Sequence, residues 1–403
     1  MTIPSFPMPR AAGCPFDPPP EMRQLSDQAP LSRVRLWDGS APWFVTSHAA
    51  QRALLADPRV SADPRNTGYP HVNAAIAARH EDARSFVTMD DPEHSRLRRM
   101  VSGAFTVRRV EAMRPAIQHI VDRQIDEILK GPQPADLVQA FALPVPSMVI
   151  CEMLGVPYAD HPFFQKYSHR MISRSSGVED VLDAQHRLVD YLSDLIGARL
   201  AVPASDLMTQ LAADHVATGE LTPHELASMC LLLLVAGHET TANMIALGTV
   251  ALLRNPGQLK ILRDADADDR VLVAGAVEEL LRYLPIVHSA RRRVALEDIE
   301  VAGVTIRAGE GMVIPNEIGN RDDAVFARAD HLEIRRENAR HHVAFGFGPH
   351  QCLGQPLVRV ELQVVYGTLY RRIPTLALAV DESDVPFKHD ALIYGVHRLP
   401  VLW

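Results

Sequence analysis

The sequence has few cysteines, no excess of positive charge and no long uninterrupted apolar run. Its four cysteines, at positions 14, 151, 230 and 352, are far apart, which excludes a disulfide framework and a CxxC metal site and favours reduced thiols in a cytoplasm. The longest apolar stretch, residues 226–237, is shorter than the roughly 20 residues that span a bilayer, so we expect no membrane anchor. The formal net charge of −8 argues against nucleic-acid binding.

The rest of the composition is that of an ordinary globular protein, and the length of 403 residues raises the question of one domain or two. Hydrophobic residues make up 47% and charged residues 22% of the chain, which excludes a disordered or fibrous protein. Seven prolines fall within residues 1–20, which excludes a secretory signal peptide and predicts an extended arm. No repeat, low-complexity tract or linker divides the remainder, so we predict a single domain over residues 21–403.

Two periodicities follow one another along the chain. Apolar residues first recur at helical spacing, and the clearest examples are residues 110–129, 182–200 and 223–253. The last of these helices has a capping-box start, with Thr222 at the N-cap and Glu225 three residues later. Beyond residue 291 the pattern changes to short strands with glycine turns, a last helix and a strand-like tail. The predicted fold class is mainly α with a small β subdomain.

One segment combines glycine, proline and cysteine just before the last predicted helix. Three glycines and a proline surround Cys352, and a backbone this permissive suits a close approach to something flat and bulky. Near a helix N-terminus, unpaired amides and the helix dipole lower the pKa of a thiol. Cys352 is therefore a candidate metal ligand or a nucleophile with His350 as its nearest base. The other three cysteines lack this context, and we expect them to serve in packing.

This segment resembles the haem-binding loop of the cytochrome P-450 haem-thiolate monooxygenases, because Phe345, Gly348, Cys352 and Gly354 stand at the spacing of that loop. The resemblance implies that Cys352 is the axial ligand of the haem iron, whose thiolate donates electron density to the metal. It also implies haem b, iron protoporphyrin IX, as the cofactor, with Phe345, Gly346 and Gly354 among the residues that bind it. The haem is then expected between the long helix and this loop.

Polar residues interrupt the long apolar helix at its middle. Ala236 and Gly237 leave a notch, and Glu239 and Thr240 place a carboxylate and a hydroxyl beside it. A helix face turned to solvent is the simpler interpretation of a lone glutamate. The run nevertheless resembles the oxygen-activation segment of the family, which implies that Glu239 and Thr240 guide protons to dioxygen and that Ala236 borders the cofactor. Packing or helix-surface hydrogen bonding is the expected role of His238.

Glu279 and Arg282 stand at positions i and i+3 of a predicted helix. On a surface helix such a pair is routine and contributes only about 0.2–0.5 kcal/mol. Together with the cysteine loop it resembles the Glu-x-x-Arg signature of the family, which implies a buried structural pair that supports folding and haem incorporation. The resemblance also implies a third basic residue before the cysteine loop, and His331 is predicted to take that place.

The sequence offers basic residues for the two carboxylates of a haem, which need donors inside a protein. His94 and Arg98 match the His-x-x-x-Arg motif of the family, Arg293 matches an arginine at the start of a small strand, and His350 matches a histidine on the opposite side. The resemblance implies that these four residues bind the propionates. The other arginines of the two clusters are expected to form a solvated basic surface, namely Arg96, Arg99, Arg291 and Arg292.

Together these motifs imply a monooxygenase that uses O2 to hydroxylate or epoxidise a hydrophobic small molecule. No segment remains for a flavin or iron–sulfur module, so the resemblance implies that a ferredoxin and a ferredoxin reductase supply electrons to a monomeric, cytoplasmic enzyme. The ferredoxin is expected to dock on a basic patch near the cysteine loop. The predicted patch consists of Arg340, His341, His342, Arg359, Arg371 and Arg372.

The predicted wall of the substrate pocket is apolar, although core packing is an equal alternative for its members. They are Leu232, Ala236, Ile286, Val287 and Ile393. Soluble bacterial members of this family often act on polyketides, macrolides, steroids or terpenoids, so a hydrophobic natural product is the expected substrate. The segments expected to cover the pocket, residues 62–87 and 164–183, do not call for a charged ligand.

Two other functions remain open on the same fold. The first is a non-catalytic haem protein that senses or carries a ligand, which has no use for a proton relay such as Glu239 and Thr240. The second is an oxidative-coupling or peroxide-driven enzyme. Peroxide-driven relatives typically lack the acid and the threonine that this chain retains, whereas the sequence is compatible with coupling.

Overall fold

The computed structural model describes residues 3–11, 13, 15–82, 85–266, 269–284 and 286–403. In this part of the chain the α-helices are α1 Pro20–Gln28, α2 His48–Ala56, α3 Ala74–Asp82, α4 Glu93–Ser102, α5 Val107–Lys130, α6 Pro144–Leu154, α7 His161–Ile172, α8 Val178–Ala201, α9 Leu207–Leu211, α10 Pro223–Arg254, α11 Pro256–Arg263, α12 Arg270–Tyr283, α13 Asn316–Gly319 and α14 Gln355–Arg372. The strands are β1 Leu31–Arg33, β2 Trp43–Val45, β3 Val60–Ser61, β4 Ala135–Asp136, β5 Arg291–Ala295, β6 Ile299–Val301, β7 Val304–Ile306, β8 Gly311–Ile314, β9 Ala377–Leu378 and β10 Pro400–Leu402.

Helix α10 is the central element, and it begins where the capping box predicts. The Thr222 hydroxyl accepts a hydrogen bond from the Glu225 amide at 3.1 Å, and the Glu225 carboxylate accepts one from the Thr222 amide at 2.8 Å. These two bonds satisfy amides that the first turn would otherwise leave unpaired. The helix then packs against α6, α8 and α14, and its apolar side chains join the largest hydrophobic cluster of the protein.

By length and composition, α10 could also cross a membrane. Of the described residues it is the only segment that meets this test, and 72% of its most apolar 18-residue window is buried inside the protein. The interruption at His238 and Glu239 does not end the helix, because it runs on to Arg254. The burial of this window is that of a core helix.

The strands form small sheets at the edge of the helical part. The largest has five strands in the order β1-β2-β8-β5-β3, with β2 and β8 parallel and the other neighbours antiparallel. The remaining strands form a sheet in the order β4-β10-β9 and the two-stranded pair β6-β7. This arrangement confirms the predicted fold class, a mainly helical protein with a small β part. Strand β5 leads from α12 into the five-stranded sheet and carries the arginines discussed below.

Candidate functional site

The cysteine loop is a short irregular segment that ends at α14. Gly346 and Gly348 have φ angles of 76° and 71°, a region that other residues rarely adopt. The Cys352 amide donates to the Phe345 carbonyl at 2.9 Å, which closes the loop over the glycines. Glycine at these two positions therefore lets the chain turn tightly enough to present the Cys352 thiol to the interior.

Burial dominates the electrostatics of the Cys352 thiol and raises its pKa. The Gly354 amide donates a hydrogen bond to the thiol, and the positive charges of Arg291 and Arg98 also act to lower the pKa, but they do not outweigh burial. The expected lowering by amides at the start of α14 is therefore present, but in the free thiol it is smaller than the effect of burial. Because a thiol gives up its proton on binding a metal ion, the surrounding cations and the amide are placed to stabilise a thiolate ligand.

A first cavity of about 280 Å³ lies between the middle of α10 and the cysteine loop. It brings together many of the residues predicted to bind the cofactor or to surround it: Arg98, Leu232, Ala236, Thr240, Ile286, Val287, Phe345, His350, Cys352 and Gly354. His94, Arg293 and Gly346 are not part of this lining. Gly346 lies against the Arg291 guanidinium, because a Cβ at this glycine would approach Arg291 Nε to 2.9 Å.

Strand β5 carries three consecutive arginines, of which Arg291 lines this cavity. Because side chains alternate along a strand, Arg293 shares the face of Arg291, and Arg292 lies on the opposite face. Arg292 and Arg293 are only 6% and 8% exposed, and burial lowers the pKa of Arg291 and of Arg292 to about 10. The prediction that Arg291 and Arg292 form a solvated surface is therefore wrong. The expectation holds for Arg99, which is exposed, whereas Arg96 is half-buried.

The predicted histidines stack beside the same cavity. The rings of His94 and His350 have centroids 4.1 Å apart, and Arg98 Nη2 donates to the Gln351 carbonyl at 2.6 Å. Burial, followed by the charge of Arg293, lowers the pKa of His350 to about 3, so this ring is neutral at pH 7. Within the described residues, His94 Nε2 and His350 Nδ1 are buried without a hydrogen-bond partner.

These groups fit a flat cofactor with two acidic substituents. Buried arginines normally have acidic partners, yet in the described part of the chain Arg291 and Arg293 hydrogen bond to an asparagine side chain and to backbone carbonyls. Two carboxylates of a cofactor that lay between these arginines and the unpartnered histidine nitrogens would interact with the guanidinium groups and with the imidazole rings. A thiolate at Cys352 would reach the same cavity from the other side.

The notch in α10 forms the opposite wall. Ala236 is open to the cavity, and a Cβ at Gly237 would come within 2.9 Å of the Ile150 side chain, so the helix is closely packed at this glycine. The Thr240 hydroxyl donates to the Ala236 carbonyl one turn back at 2.6 Å, a bond that threonine can form in the middle of a helix. Thr240 borders both this cavity and a second one.

Glu239 lies beside Thr240 in the wall of the second cavity and is only 4% exposed. Its Oε1 is 3.8 Å from His238 Nε2, and its Oε2 is 3.9 Å from Lys388 Nζ and has no hydrogen-bond partner among the described residues. His238 is itself fully buried and bonded to the Leu234 carbonyl at 2.7 Å, as expected for a packing role. The sequence analysis missed Lys388, because a single lysine in the tail has no spacing that relates it to α10.

The second cavity, of about 220 Å³, lies on the far side of Ala236 and Thr240 from the cysteine loop. It shares Val87, Leu232, Ala236 and Thr240 with the first cavity. Of the predicted substrate wall, Ile393 lines only the second cavity, and Ile286 and Val287 line only the first. The covering segments contribute Arg79, His80, Ser85 and Val87 from one and Met171 and Ile172 from the other, while residues 83 and 84 lie outside the described part of the chain.

The pair Glu279 and Arg282 is fully buried behind the cysteine loop. Arg282 Nε and Nη2 donate to the two carboxylate oxygens of Glu279 at 2.7 and 2.8 Å. The third basic group is Arg336, whose Nε lies 3.1 and 3.2 Å from the same two oxygens. The prediction of His331 is wrong, because that residue contributes its backbone carbonyl, which accepts from both Arg282 and Arg336.

Comparisons with known proteins agree with the family indicated by the cysteine loop, and the similarity extends over the whole chain. A sequence profile described as Cytochrome P450 matches residues 181–373. The chain is 55% identical to Cytochrome P450 GfsF of Streptomyces halstedii over 99% of this chain and 96% of that protein. It is also 48% identical to pentalenic acid synthase of Streptomyces avermitilis, over 99% and 97%.

Solved structures of known proteins support the same family assignment. The crystal structure of the mycinamicin VIII C21 methyl hydroxylase MycCI from Micromonospora griseorubida superposes with a TM-score of 0.92 at 40% identity, over all of both chains. The family inferred from the cysteine loop is thereby confirmed. The chain belongs to the cytochrome P450 family and is a haem-dependent monooxygenase.

Proposed function

We propose that this monooxygenase hydroxylates or epoxidises a hydrophobic natural product that binds in the second cavity. One observation carries the proposal: the two cavities meet at Ala236 and Thr240, so a ligand in the second faces a cofactor in the first. When bound, the haem supplies the oxidising chemistry through its iron and O2. The lining of the second cavity is largely apolar along α10, which suits the body of such a ligand.

The residues around the first cavity would hold the haem as haem b. Cys352 would bind the iron from the loop side, and the flat face of the cofactor would lie against Ala236. Arg98, Arg293 and the stacked pair of His94 and His350 would bind the two propionates. Arg291, which the sequence analysis did not include, is placed to join them because it lines the cavity beside Cys352.

Glu239 and Thr240 are proposed to move protons into the first cavity. The Thr240 hydroxyl is positioned at the junction of the cavities by its bond to the Ala236 carbonyl. The unpartnered Oε2 of Glu239 can hold a proton or a water molecule, and the residue is only 4% exposed. A buried carboxylate with a free oxygen supports a catalytic role over that of a passive ligand carrier.

Relatives support a natural-product substrate. One relative of 48% identity is named pentalenic acid synthase, and one of 39% identity is named 20-oxo-5-O-mycaminosyltylactone 23-monooxygenase. A polyketide, macrolide, steroid or terpenoid is therefore the substrate class that we propose for this chain. The enzyme is proposed to be cytoplasmic and monomeric, which agrees with three free cysteines among the described residues, Cys14 lying outside them.

We also propose that residues 21–403 act as one domain and that residues 1–20 form an arm bound to it. Ser5 forms a β-bridge with Arg35, and Phe6 and Met8 are buried against the sheet. Arg10 pairs with Glu317 at 2.7 Å, and both side chains are only 1% exposed. The arm is thus fixed by apolar contacts and by a buried ion pair.

A ferredoxin is the proposed electron donor, and we propose a docking surface that differs from the patch predicted from the sequence. Helices α5 and α14 run parallel, since Arg114 contacts Gln363 and, further along both helices, Asp122 contacts Arg372. The end of α5 nearest to Cys352 carries Arg108 and Arg109, which are exposed.

Several members of the predicted patch are unsuited to this role. Arg359 is paired with Glu278, and Arg372 is paired with Asp122 and Asp126 at the far end of α14. His342 is buried, with its ring facing Glu278 at 3.2 Å. Arg340, His341 and Arg371 remain exposed. We therefore propose Arg99, Arg108 and Arg109, which are exposed, as the centre of the docking surface.

Charge reversal tests this docking surface. The double variant Arg108→Glu/Arg109→Glu is expected to slow reduction by a bacterial ferredoxin about tenfold or more at low salt, because it removes the attraction that steers an acidic partner. The control is Arg123→Glu, an exposed arginine about four turns further along α5. Stopped-flow reduction over a range of salt concentrations measures the effect. Equal rates for the two variants would place the docking site elsewhere.

Replacing Thr240 tests the proposed function. A panel of apolar ligands, namely a macrolactone, a steroid and a sesquiterpene, is first screened for displacement of the iron-bound water. With the tightest ligand, Thr240→Ala is expected to keep haem and ligand binding but to yield at least about tenfold less product per electron. The remaining electrons should appear in hydrogen peroxide.

Two further variants serve as controls. Thr240→Ser should restore much of the coupling between electron use and product, and Thr241→Ala should leave it unchanged, because Thr241 lines neither cavity. Unchanged coupling in Thr240→Ala would contradict the proposed relay.

A further inference from the structure

Arg79 is a cationic residue in the largely apolar second cavity, and none of the steps above uses it. It lies on α3 and lines the second cavity together with its neighbour His80. Both residues also line a smaller, more open cavity of about 200 Å³, which Arg292 borders as well. Arg79 therefore contributes to the walls of two cavities.

No described acidic side chain hydrogen bonds to Arg79 or forms an ion pair with it. Nearby Arg65, in contrast, pairs with Asp63. Arg79 is half-buried, and burial lowers the pKa of its guanidinium; among the described residues no charged group opposes this effect. A guanidinium stays protonated in proteins, and a desolvated cation without a partner is costly. The position is thus suited to a ligand that brings its own negative charge.

His80 adds a neutral hydrogen-bonding group beside this cation. Burial, and then the charge of Arg79, lowers its pKa to about 3, so the ring is uncharged at pH 7. Its Nδ1 is buried and has no hydrogen-bond partner among the described residues. The pair therefore offers one positive charge and one neutral imidazole to the same space.

This pair is separate from the groups proposed to bind the haem. Arg79 and His80 line the second cavity and not the first, whereas Arg98 and Arg291 line the first and not the second. The acidic residue of the second cavity is Glu239, which lies on α10 next to Thr240. A ligand with one anionic end would be attracted by Arg79 and repelled by Glu239, and this difference would orient it.

We propose that Arg79 binds a carboxylate of the substrate and so fixes which end of an apolar molecule faces Thr240. A single planar guanidinium matches one carboxylate through two parallel hydrogen bonds. His80 can add a further contact, while Leu231, Val235 and Ile393 enclose the apolar body. This inference rests on the proposed function and narrows the substrate to an apolar carboxylic acid.

The test compares two ligands of the same chain length. Dodecanoate and dodecanol are titrated into the haem-loaded enzyme at neutral pH, and the dissociation constants are measured by calorimetry and by the change in the haem spectrum. Hydrogen bonds to a charged group predict that dodecanoate binds about 10–100-fold more tightly than the alcohol. In Arg79→Met this preference should disappear while the affinity for dodecanol stays the same or improves.

Two further variants exclude a folding defect as the cause. Arg79→Lys keeps the charge but loses the planar fork, so it should retain part of the preference, and Arg123→Met on the exposed face of α5 should retain all of it. Equal binding of acid and alcohol to the wild-type enzyme, or a preference that survives in Arg79→Met, would overturn the role of Arg79 while leaving the proposed function intact. If neither ligand binds, the second cavity does not accept apolar ligands, and both proposals fail.

Discussion

Replacing Cys352 by alanine is expected to abolish monooxygenase activity and to remove the red-shifted Soret band of the reduced, CO-bound protein. The band depends on a thiolate opposite the CO, and Cys352 is the only described cysteine that lines the first cavity. Changes to groups that merely support a ligand already reduce metal affinity or activity about 10–100-fold, so loss of the ligand itself should exceed that range. The haem content of the purified variant and its CO spectrum are the two measurements.

Cys151→Ala is the matched control for this experiment. Cys151 is also buried and free, but it belongs to α6 and packs in the main hydrophobic cluster. Burial raises the pKa of its thiol to about 12, so it is protonated at pH 7 and unavailable as a thiolate. Its replacement should leave the CO spectrum unchanged. A red-shifted band that persists in Cys352→Ala would mean that another residue binds the iron.

The parts of this protein that the sequence predicted well depend on local patterns. The start of α10 follows from Thr222 and Glu225, which act within one turn, and the cysteine loop follows from glycines that are needed at positive φ. The pairing of Glu279 with Arg282 is likewise a contact within one helix turn. Such features require only neighbours in the chain, so spacing alone was sufficient.

The errors concern residues whose roles depend on distant parts of the fold. Arg336 lies 57 positions from Glu279, and no spacing indicated that it, and not His331, would complete the ion pair. In the sequence Arg291 is one of several clustered arginines, and only the folded chain, in which β5 pairs with β8, places it in the wall of the first cavity. Arg79 was overlooked because its segment showed no recognisable motif. Its importance comes from its place in the second cavity without an acidic partner among the described residues, which only the packed structure reveals.

The second large effect is expected from Glu279→Gln, which should lower the free energy of unfolding by about 3–5 kcal/mol. Both oxygens of the Glu279 carboxylate accept from Arg282 and from Arg336, and Oε1 also accepts from the Glu333 amide at 2.9 Å. The carboxylate is completely buried. The glutamine amide has one acceptor oxygen and no charge, so Arg282 would lose its counter-ion and Arg336 would keep only Glu333, at 3.4 Å. Urea unfolding followed by circular dichroism measures the change.

Glu111→Gln isolates the contribution of burial, because Glu111 forms an ion pair of the same i, i+3 spacing with Arg114 on α5. The Glu111 side chain is 45% exposed, and exposed pairs contribute only about 0–1 kcal/mol. If Glu279→Gln lowered stability by no more than this control, the network would not be structural. The opposite result is a fall in the free energy of unfolding in Glu279→Gln alone, together with a lower haem content. It would show that the three-residue network holds α12 and the segment before the cysteine loop together. The loop can present Cys352 to the haem only when that support is in place.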